Sequence, residues 1–330
     1  MNVQLIQGNA LDILPTLPSD SFAGSLSDPP YELGFMGKKW DSSGIAFNPT
    51  LWKEMYRVLA PGAYLLAFGG TRTYHRLTCA VEDAGFEVRD CLLWLYAQGF
   101  PKSKACLKPS YEPIVLARKP AKMILPLNID GCRIESEPIP INRYQGWTGF
   151  GQIERPEVLP TYQQEMNTLG RWPANTIIDE SFEGEPWSRY FYCAKASRKE
   201  RDAGCETLPL KARPTHGNGL GNQPDQQRAI NHNTHPTVKP LSLTGHLAKL
   251  ILSQPSADTQ RLLVPFSGSG SEMIGGLQAG WNDVVGIELS AEYIEIAEQR
   301  LAKETNINIC HTDHYRPHCM SFMAIPVIKL

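Results

Sequence analysis

Residues 28–31 read Asp-Pro-Pro-Tyr and follow a short apolar run that begins at Phe22. Asp28 offers a charged hydrogen-bond acceptor. Pro29 and Pro30 have fixed φ, and each also restricts the residue before it, so the backbone between them is rigid. Tyr31 offers a flat aromatic face. Together they could bind and orient a flat, amino-bearing group at the end of a strand. The same four letters also make an ordinary turn, because Asp-Pro and Pro-Pro are common punctuation.

A second chemistry-bearing stretch is Val-Pro-Phe-Ser-Gly-Ser-Gly-Ser-Glu, residues 264–272. Phe266, Ser267, Gly268, Gly270 and Ser271 join a buried strand to a helix, and the glycines allow a tight turn and close backbone approach to a ligand. A dinucleotide fingerprint wants a third glycine where this chain has Met273. Glu272 in the first helical turn also disfavours a phosphate. A further strand ends at Glu288, at the spacing of about 20 residues expected of a ribose-binding acid. The pattern fits a nucleoside without phosphates, and S-adenosylmethionine is the common cofactor of that kind. The competing reading is a tight strand–helix turn with a surface Glu.

The elements that would position these residues alternate strand and helix. Strands are expected at 3–7, 22–27, 63–69, 87–96 and 112–120, with helices ending near Leu59 and Gly85. From about Ala121 to Thr234 the periodicity fades into Pro, Gly, Asn and Gln, broken by apolar patches such as "RWPANTII" and "RYFYCAKAS". The alternation returns over 240–304. This predicts an α/β fold, Rossmann-like, with a mostly parallel twisted sheet and helices on both faces. Its two halves, 1–120 and 235–305, would be separated by an inserted region, 121–234, and followed by a tail, 306–330, expected to be disordered.

The chain resembles the amino-group DNA methyltransferases of the permuted β class, especially their bacterial and phage members. "DPPY" at 28–31, "HPTVKP" at 235–240 and "FSGSG" at 266–270 occur in the order those enzymes use. "FMGKKWD", "AFGGTRTYHRL", "GFPKS", "EPIVLARKP" and "FYCAKAS" also look like that subgroup, and the resemblance spans roughly 1–120 and 170–305. It implies a circularly permuted S-adenosylmethionine-dependent methyltransferase fold. By position, Asp28 and the Pro29 carbonyl would bind the target amino group, and Tyr31 would stack on the base. Gly268 and Gly270 would approach the methionine part of the cofactor and Glu288 its ribose. His235, Thr237 and Lys239 would complete that pocket near the methionine carboxylate, and Asn9 would lie near the adenine ring. Trp94 to Phe100 would line the pocket of the extruded base. The chain departs from the family pattern at Val264 and Asn9, where an Asp is usual, and at Ser271, where Thr is usual.

The implied reaction is methyl transfer from S-adenosylmethionine to the 6-amino group of adenine in double-stranded DNA, by direct attack from a flipped-out base. An Asp at position 28 leans towards adenine, because cytosine enzymes more often carry Ser there. The alternatives are the cytosine 4-amino group, a DNA-binding relic of the family, and methylation of protein glutamine or RNA. A ring-carbon cytosine enzyme needs a nucleophilic thiol, usually in Pro-Cys, and this chain has no such pair. A cognate restriction endonuclease, not encoded here, is a conceivable partner, and the enzyme would be a monomer or dimer.

The net charge of −2 excludes a wholly basic nucleic-acid binder, but the charge is unevenly spread. Residues 189–239 hold nine Lys/Arg against four Asp/Glu, and 256–304 hold three against eight. One region is therefore suited to a polyanion. Lys102, Arg198, Lys199 and Arg201 are the candidate DNA-contacting cations. The eight cysteines contain no CxxC pair, so free thiols are expected rather than a disulfide framework. "CHTDHYRPHC" at 310–319 fits no ordinary zinc spacing, and no metal is expected. No signal-peptide or membrane-spanning pattern is found, which points to the cytoplasm.

Overall fold

The computed structural model describes residues 1–34, 39–97, 99, 104–123, 125–140, 166–194, 198–212, 230–252, 260–305, 309–312 and 314. In chain order the strands are β1 (Asn2–Gln7), β2 (Phe22–Ser27), β3 (Leu59–Phe68), β4 (Glu87–Leu95), β5 (Tyr111–Arg118), β6 (Ile139–Pro140), β7 (Met166–Asn167), β8 (Thr176–Asp179), β9 (Tyr192–Ala194), β10 (Lys211–Ala212), β11 (Ile230–Asn231), β12 (Arg261–Val264), β13 (Asp283–Glu288) and β14 (Cys310–Thr312). The helices are α1 (Ala10–Ile13), α2 (Pro49–Val58), α3 (Tyr74–Asp83), α4 (Arg198–Asp202), α5 (Leu241–Leu250), α6 (Ser271–Ala279) and α7 (Ala291–Thr305).

Local chemistry explains the helix that flanks the first half. Asn48 caps α2 by accepting from the Thr50 N–H at 2.9 Å, and Pro49 occupies the first turn, where its missing N–H costs nothing. Leu51, Trp52, Met55 and Val58 then fall on one face and are fully buried against the sheet. Burying each large apolar side chain of this kind contributes about 1.5–3 kcal/mol.

Ten strands form one sheet in the order β14-β1-β13-β12-β2-β3-β5-β4-β8-β9. The run from β14 to β3 is parallel; β5 is antiparallel to both β3 and β4. Strands from the end of the chain, β12 and β13, thus lie between β1 and β2 from its beginning. One core, on the α1–α3 face, includes Trp52, Met55, Leu77 and Val81; the other, on the α5–α7 face, includes Leu247, Met273, Ile294 and Leu301. On that second face Gly275 of α6 lies against Thr244 and Gly245 of α5, where a side chain would collide. The expected mostly parallel sheet with helices on both faces is present. Its antiparallel member, β5, pairs with β4 along Glu87–Leu95, and among the described residues no helix lies between the two strands.

Two regions depart from the periodicity. β8 and β9 lie in the 121–234 segment yet extend the main sheet, pairing with β4 and with each other. Ile177 and Ile178 are both fully buried, in a strand too short to display a period. The tail expected to be disordered contributes β14, because the open edge of β1 accepts a further parallel strand and Gln4 Nε2 donates to Thr312 Oγ1 at 3.3 Å. Cys79, Cys91, Cys106, Cys132, Cys193 and Cys205 are free thiols, whereas Cys310 is disulfide-bonded, a departure from the expectation of free thiols. Among the described residues no helix is long and apolar enough to cross a membrane.

β12 leads into α6 on one face of the sheet, and β2 leads towards α2 on the other. The parallel neighbours β12 and β2 therefore open a crevice at their carboxyl ends, where open α/β sheets bind ligands.

Candidate active site

A cavity of about 420 Å³ fills that crevice. It is lined from the ends of β1, β2, β12 and β13, by residues that include Asn9, Asp28, Tyr31, Gly268 and Glu288. Its size lies within the range of about 300–1,000 Å³ usual for small-molecule sites.

At one end, Asp28 follows directly on β2. Its Oδ2 is 2.6 Å from Lys239 Nζ, while its Oδ1 is buried without a hydrogen-bond partner among the described residues. Lys239 Nζ also lies 3.5 Å from Glu112 Oε2, the same oxygen that accepts the Tyr31 hydroxyl at 2.7 Å. The ammonium sits 4.7 Å from the Phe68 ring centroid and 5.3 Å from that of Tyr31. Burial works against the charged lysine, but Asp28, Glu112 and Glu272 outweigh it and hold its pKa above the usual range. Burial, then the charges of Asp28 and Glu112, push the Tyr31 phenol well up, so it stays a neutral donor. The backbone after Tyr31 is clamped by Asp41, which accepts from the N–H groups of Glu32 at 3.0 Å and Leu33 at 3.2 Å. Thr73 Oγ1 donates to the Tyr31 carbonyl at 2.8 Å.

At the other end lies the glycine turn after β12. Gly268 has φ +48°, and a Cβ there would stand 2.8 Å from His235 Nε2. Its N–H donates to Glu288 Oε2 at 2.9 Å, and the Ser290 N–H donates to Glu288 Oε1 at 2.7 Å. Burial pushes the Glu288 carboxyl up, opposed by these backbone donors. The Leu289 N–H opposes it as well, so part of the carboxylate's roughly four acceptor positions is taken. Arg300 of α7, 1 % exposed, ties the loop down: its Nη1 donates to the Ser269 carbonyl at 2.6 Å and to the Ser269 and Ser271 hydroxyls at 3.0 Å. Glu272 is buried beside them, and desolvation together with the Asp28 charge pushes its pKa up to about 7. Asn9 accepts from the Leu11 N–H at 3.0 Å and caps α1 at the cavity wall. Phe266, Ser267 and Ser271 line the cavity as well; Val264 does not, being fully buried in the core.

The segment 235–240 is held from behind by α4. Asn233 is fully buried; its Nδ2 donates to the Arg201 carbonyl at 2.9 Å and its Oδ1 accepts from the His235 N–H at 3.0 Å. Glu200 accepts from the Leu241 N–H at 3.0 Å. Burial, with Lys239, Arg201 and Arg300 nearby, lowers the His235 pKa to about 3, so the ring is neutral; it packs edge-on to Tyr293 at 4.5 Å. Thr237 and Lys239 reach the cavity, and Lys239, expected beside the cofactor, meets the Asp28 carboxylate.

The expected DNA-side residues are less uniformly placed. The Arg201 guanidinium donates to the His235 carbonyl, and α4 buttresses that segment. Arg198 and Lys199 stand on the same short helix. Trp94 is not at the cavity; it lies deeper along β4, packed on the core and 5.2 Å from the Tyr96 ring, and Tyr96 takes the lining position. Phe100 and Lys102 lie outside the described residues. Sequence reasoning misses Glu112, Glu272, Asp41 and Arg300 as members of the site. Glu272 has a local signal, as an acid beside the glycine turn; Asp41 and Glu112 lie in the family-like stretches "FMGKKWD" and "EPIVLARKP" without being singled out, and Arg300 has no local signal.

The model of the N6/N4 DNA methylase family matches residues 24–299, most of the chain and every element of the cavity except those before β2. The chain belongs to that family. It is a DNA methyltransferase, its methyl donor is S-adenosylmethionine and its substrate is DNA. This methylase is 25 % identical over 336 residues to the type II methyltransferase M.HpaI of Haemophilus parainfluenzae, covering 100 % of this chain and 83 % of that one. Its fold is shared with the cytosine-N4-specific PvuII DNA methyltransferase, at a TM-score of 0.55 and 13 % identity over 94 % and 95 % of the two chains. TTHA0409 of Thermus thermophilus, a candidate DNA modification methylase, superposes at a TM-score of 0.51 and 16 % identity over 94 % and 100 %. At such identities the two structures speak to the fold alone.

Proposed function

We propose that this methylase transfers the methyl group to the exocyclic 6-amino group of adenine in duplex DNA, using its motifs in the permuted order of the β class. The observation that carries transfer to an exocyclic amino group is the state of Asp28; the choice of adenine rests on Asp rather than Ser at that position. One oxygen is held by Lys239, and the other is buried and unpartnered among the described residues. A buried carboxylate oxygen left without a donor is costly, and an incoming N–H would satisfy it.

The amino nitrogen of a base is a poor nucleophile, because its lone pair is delocalised into the ring. An acceptor on each N–H favours the pyramidal geometry needed for attack. Asp28 Oδ1 supplies one acceptor, and the Pro29 carbonyl, fixed by two prolines, supplies the other. As the N–C bond forms, positive charge grows on the nitrogen, and the carboxylate stabilises it. Asp28 would also take the proton that the methylated nitrogen sheds. Tyr31, held by Glu112, presents its ring to a base taken out of the stack.

The residues present suit the cofactor. It supplies the methyl group on a sulfonium. Gly268 brings bare backbone to the cavity wall, whereas Gly270, expected beside the cofactor, faces Ala297 of α7 and does not line it; Glu288 keeps acceptor positions for ribose hydroxyls. His235 and Thr237 would flank the methionine end and Asn9 the adenine end. The 121–234 region would read the target sequence.

Mass spectrometry of nucleosides from DNA of cells expressing the protein tests the reading. The expected product is 6-methyladenine. Detection of 4-methylcytosine would move the target to cytosine, and DNA with neither would contradict the proposal.

A further inference from the structure

Asp28 and Glu112 converge on Lys239 from the ends of different strands, and among the described residues the buried Oδ1 of Asp28 has no hydrogen-bond partner. Asp28 Oδ2 and Glu112 Oε2 lie 2.6 Å and 3.5 Å from the ammonium, whose side chain is 5 % exposed. The Asp28–Lys239 pair by itself is neutral. A cation held that close would also oppose the positive charge that develops on the attacking nitrogen, since such interactions are strong where water is excluded. Glu112 adds a second negative charge beside the ammonium. The three groups together then carry one net negative charge, and the unpartnered oxygen is on Asp28.

We infer that Glu112 is a positioning residue for methyl transfer: its carboxylate offsets Lys239, so that Asp28 is fixed by the lysine without losing its charge to it. Its hydrogen bond with Tyr31 is a second contact, which a neutral acceptor could replace. The inference rests on the proposed role of Asp28.

The test uses the full chain, labelled S-adenosylmethionine and unmethylated genomic DNA under single-turnover conditions, with cofactor affinity measured by calorimetry. Glu112→Gln keeps an acceptor for Tyr31 and removes the charge. It is expected to slow transfer by about tenfold or more, equivalent to about 1.4 kcal/mol, with cofactor affinity unchanged. Tyr31→Phe loses the hydrogen bond and keeps both the ring and the charge, and should lose less. Glu112→Asp restores the charge without the reach to Tyr31 and should recover much of the rate lost in Glu112→Gln. Glu112→Gln at the parent rate, or Glu112→Asp as slow as Glu112→Gln, would overturn the inference while leaving the proposed function standing. If Glu112→Gln fails to fold, Glu112→Asp at or above the rate of Tyr31→Phe supports the inference, and a lower rate overturns it. A parent protein that transfers no methyl overturns both.

Discussion

Lys239 Nζ lies 2.6 Å from Oδ2 of Asp28, across 211 residues of chain, and the other oxygen of that carboxylate meets no donor among the described residues. The pair is asymmetric: one oxygen is structural and the other is available. Lys239→Met should therefore do two kinds of damage. It leaves a largely buried carboxylate uncompensated, and breaking a buried pair in this way typically costs about 3–5 kcal/mol. It also frees Asp28 to rotate. Thermal melting should show a clear loss of stability, and single-turnover transfer should slow by more than the stability loss explains. A variant that melts and turns over like the parent would remove the pair from the account.

Glu288→Gln should weaken cofactor binding. An amide has one oxygen to share between the Gly268 and Ser290 N–H groups and the ribose, where the carboxylate has two. Hydrogen bonds to a charged group contribute about 1.5–3 kcal/mol. Calorimetry should register a loss of that order, with DNA affinity retained.

Gly268→Ala should act at the same site by a different cause. Its φ of +48° costs an L-residue about 1–2 kcal/mol, and the new methyl group would press on the His235 ring. The expected result is a lower melting temperature and weaker cofactor binding together. Equal cofactor affinity would mean that the turn adjusts without disturbing the pocket.

Glu272 makes stability depend on pH. Its carboxyl titrates at about 7 in the folded chain, against an ordinary 4.5 when unfolded. Between those values the folded state holds the extra proton, so this group's contribution falls as pH rises through the window. The groups facing it are Asp28, Lys239 and Arg300. His235 and His246, with pKa values lowered to about 3 and about 4, pull the other way below 6.5. The difference between parent and Glu272→Gln isolates the glutamate: the variant should gain stability over the parent as pH rises from 5 to 8. A constant difference would contradict the buried, proton-binding carboxyl.

The residues legible in the sequence share one property. Asp28, Gly268 and Glu288 each lie at a strand end inside a short local motif, so neighbouring letters announce them. Glu112 meets Tyr31 across 81 residues, and although "EPIVLARKP" resembles the family, neither composition nor periodicity there places its acid beside Tyr31. Arg300 reads as one more charge on an amphipathic helix, and only the packing of α7 turns it onto the Ser269 carbonyl. The contact of Arg201 with the His235 carbonyl escapes notice for a related reason. A basic cluster looks the same in sequence whether it faces a polyanion or caps an internal carbonyl. β8 escapes notice because four residues cannot show a period, whereas the 15-residue α7 can be read directly.

The most direct test of the account is single-turnover transfer of labelled methyl to duplex DNA by Asp28→Ala beside the parent. The carboxylate acts where charge develops, so it stabilises the transition state more than the bound base. Losing one such preorganised group typically costs about 2.7–4 kcal/mol, or two to three decades in rate. The parent should place the label on the 6-amino group of adenine, and Asp28→Ala should lose that transfer by about a hundredfold or more while binding cofactor as before. A variant that keeps more than about a tenth of the parent rate, an effect below about 1.4 kcal/mol, would reduce Asp-Pro-Pro-Tyr to a turn.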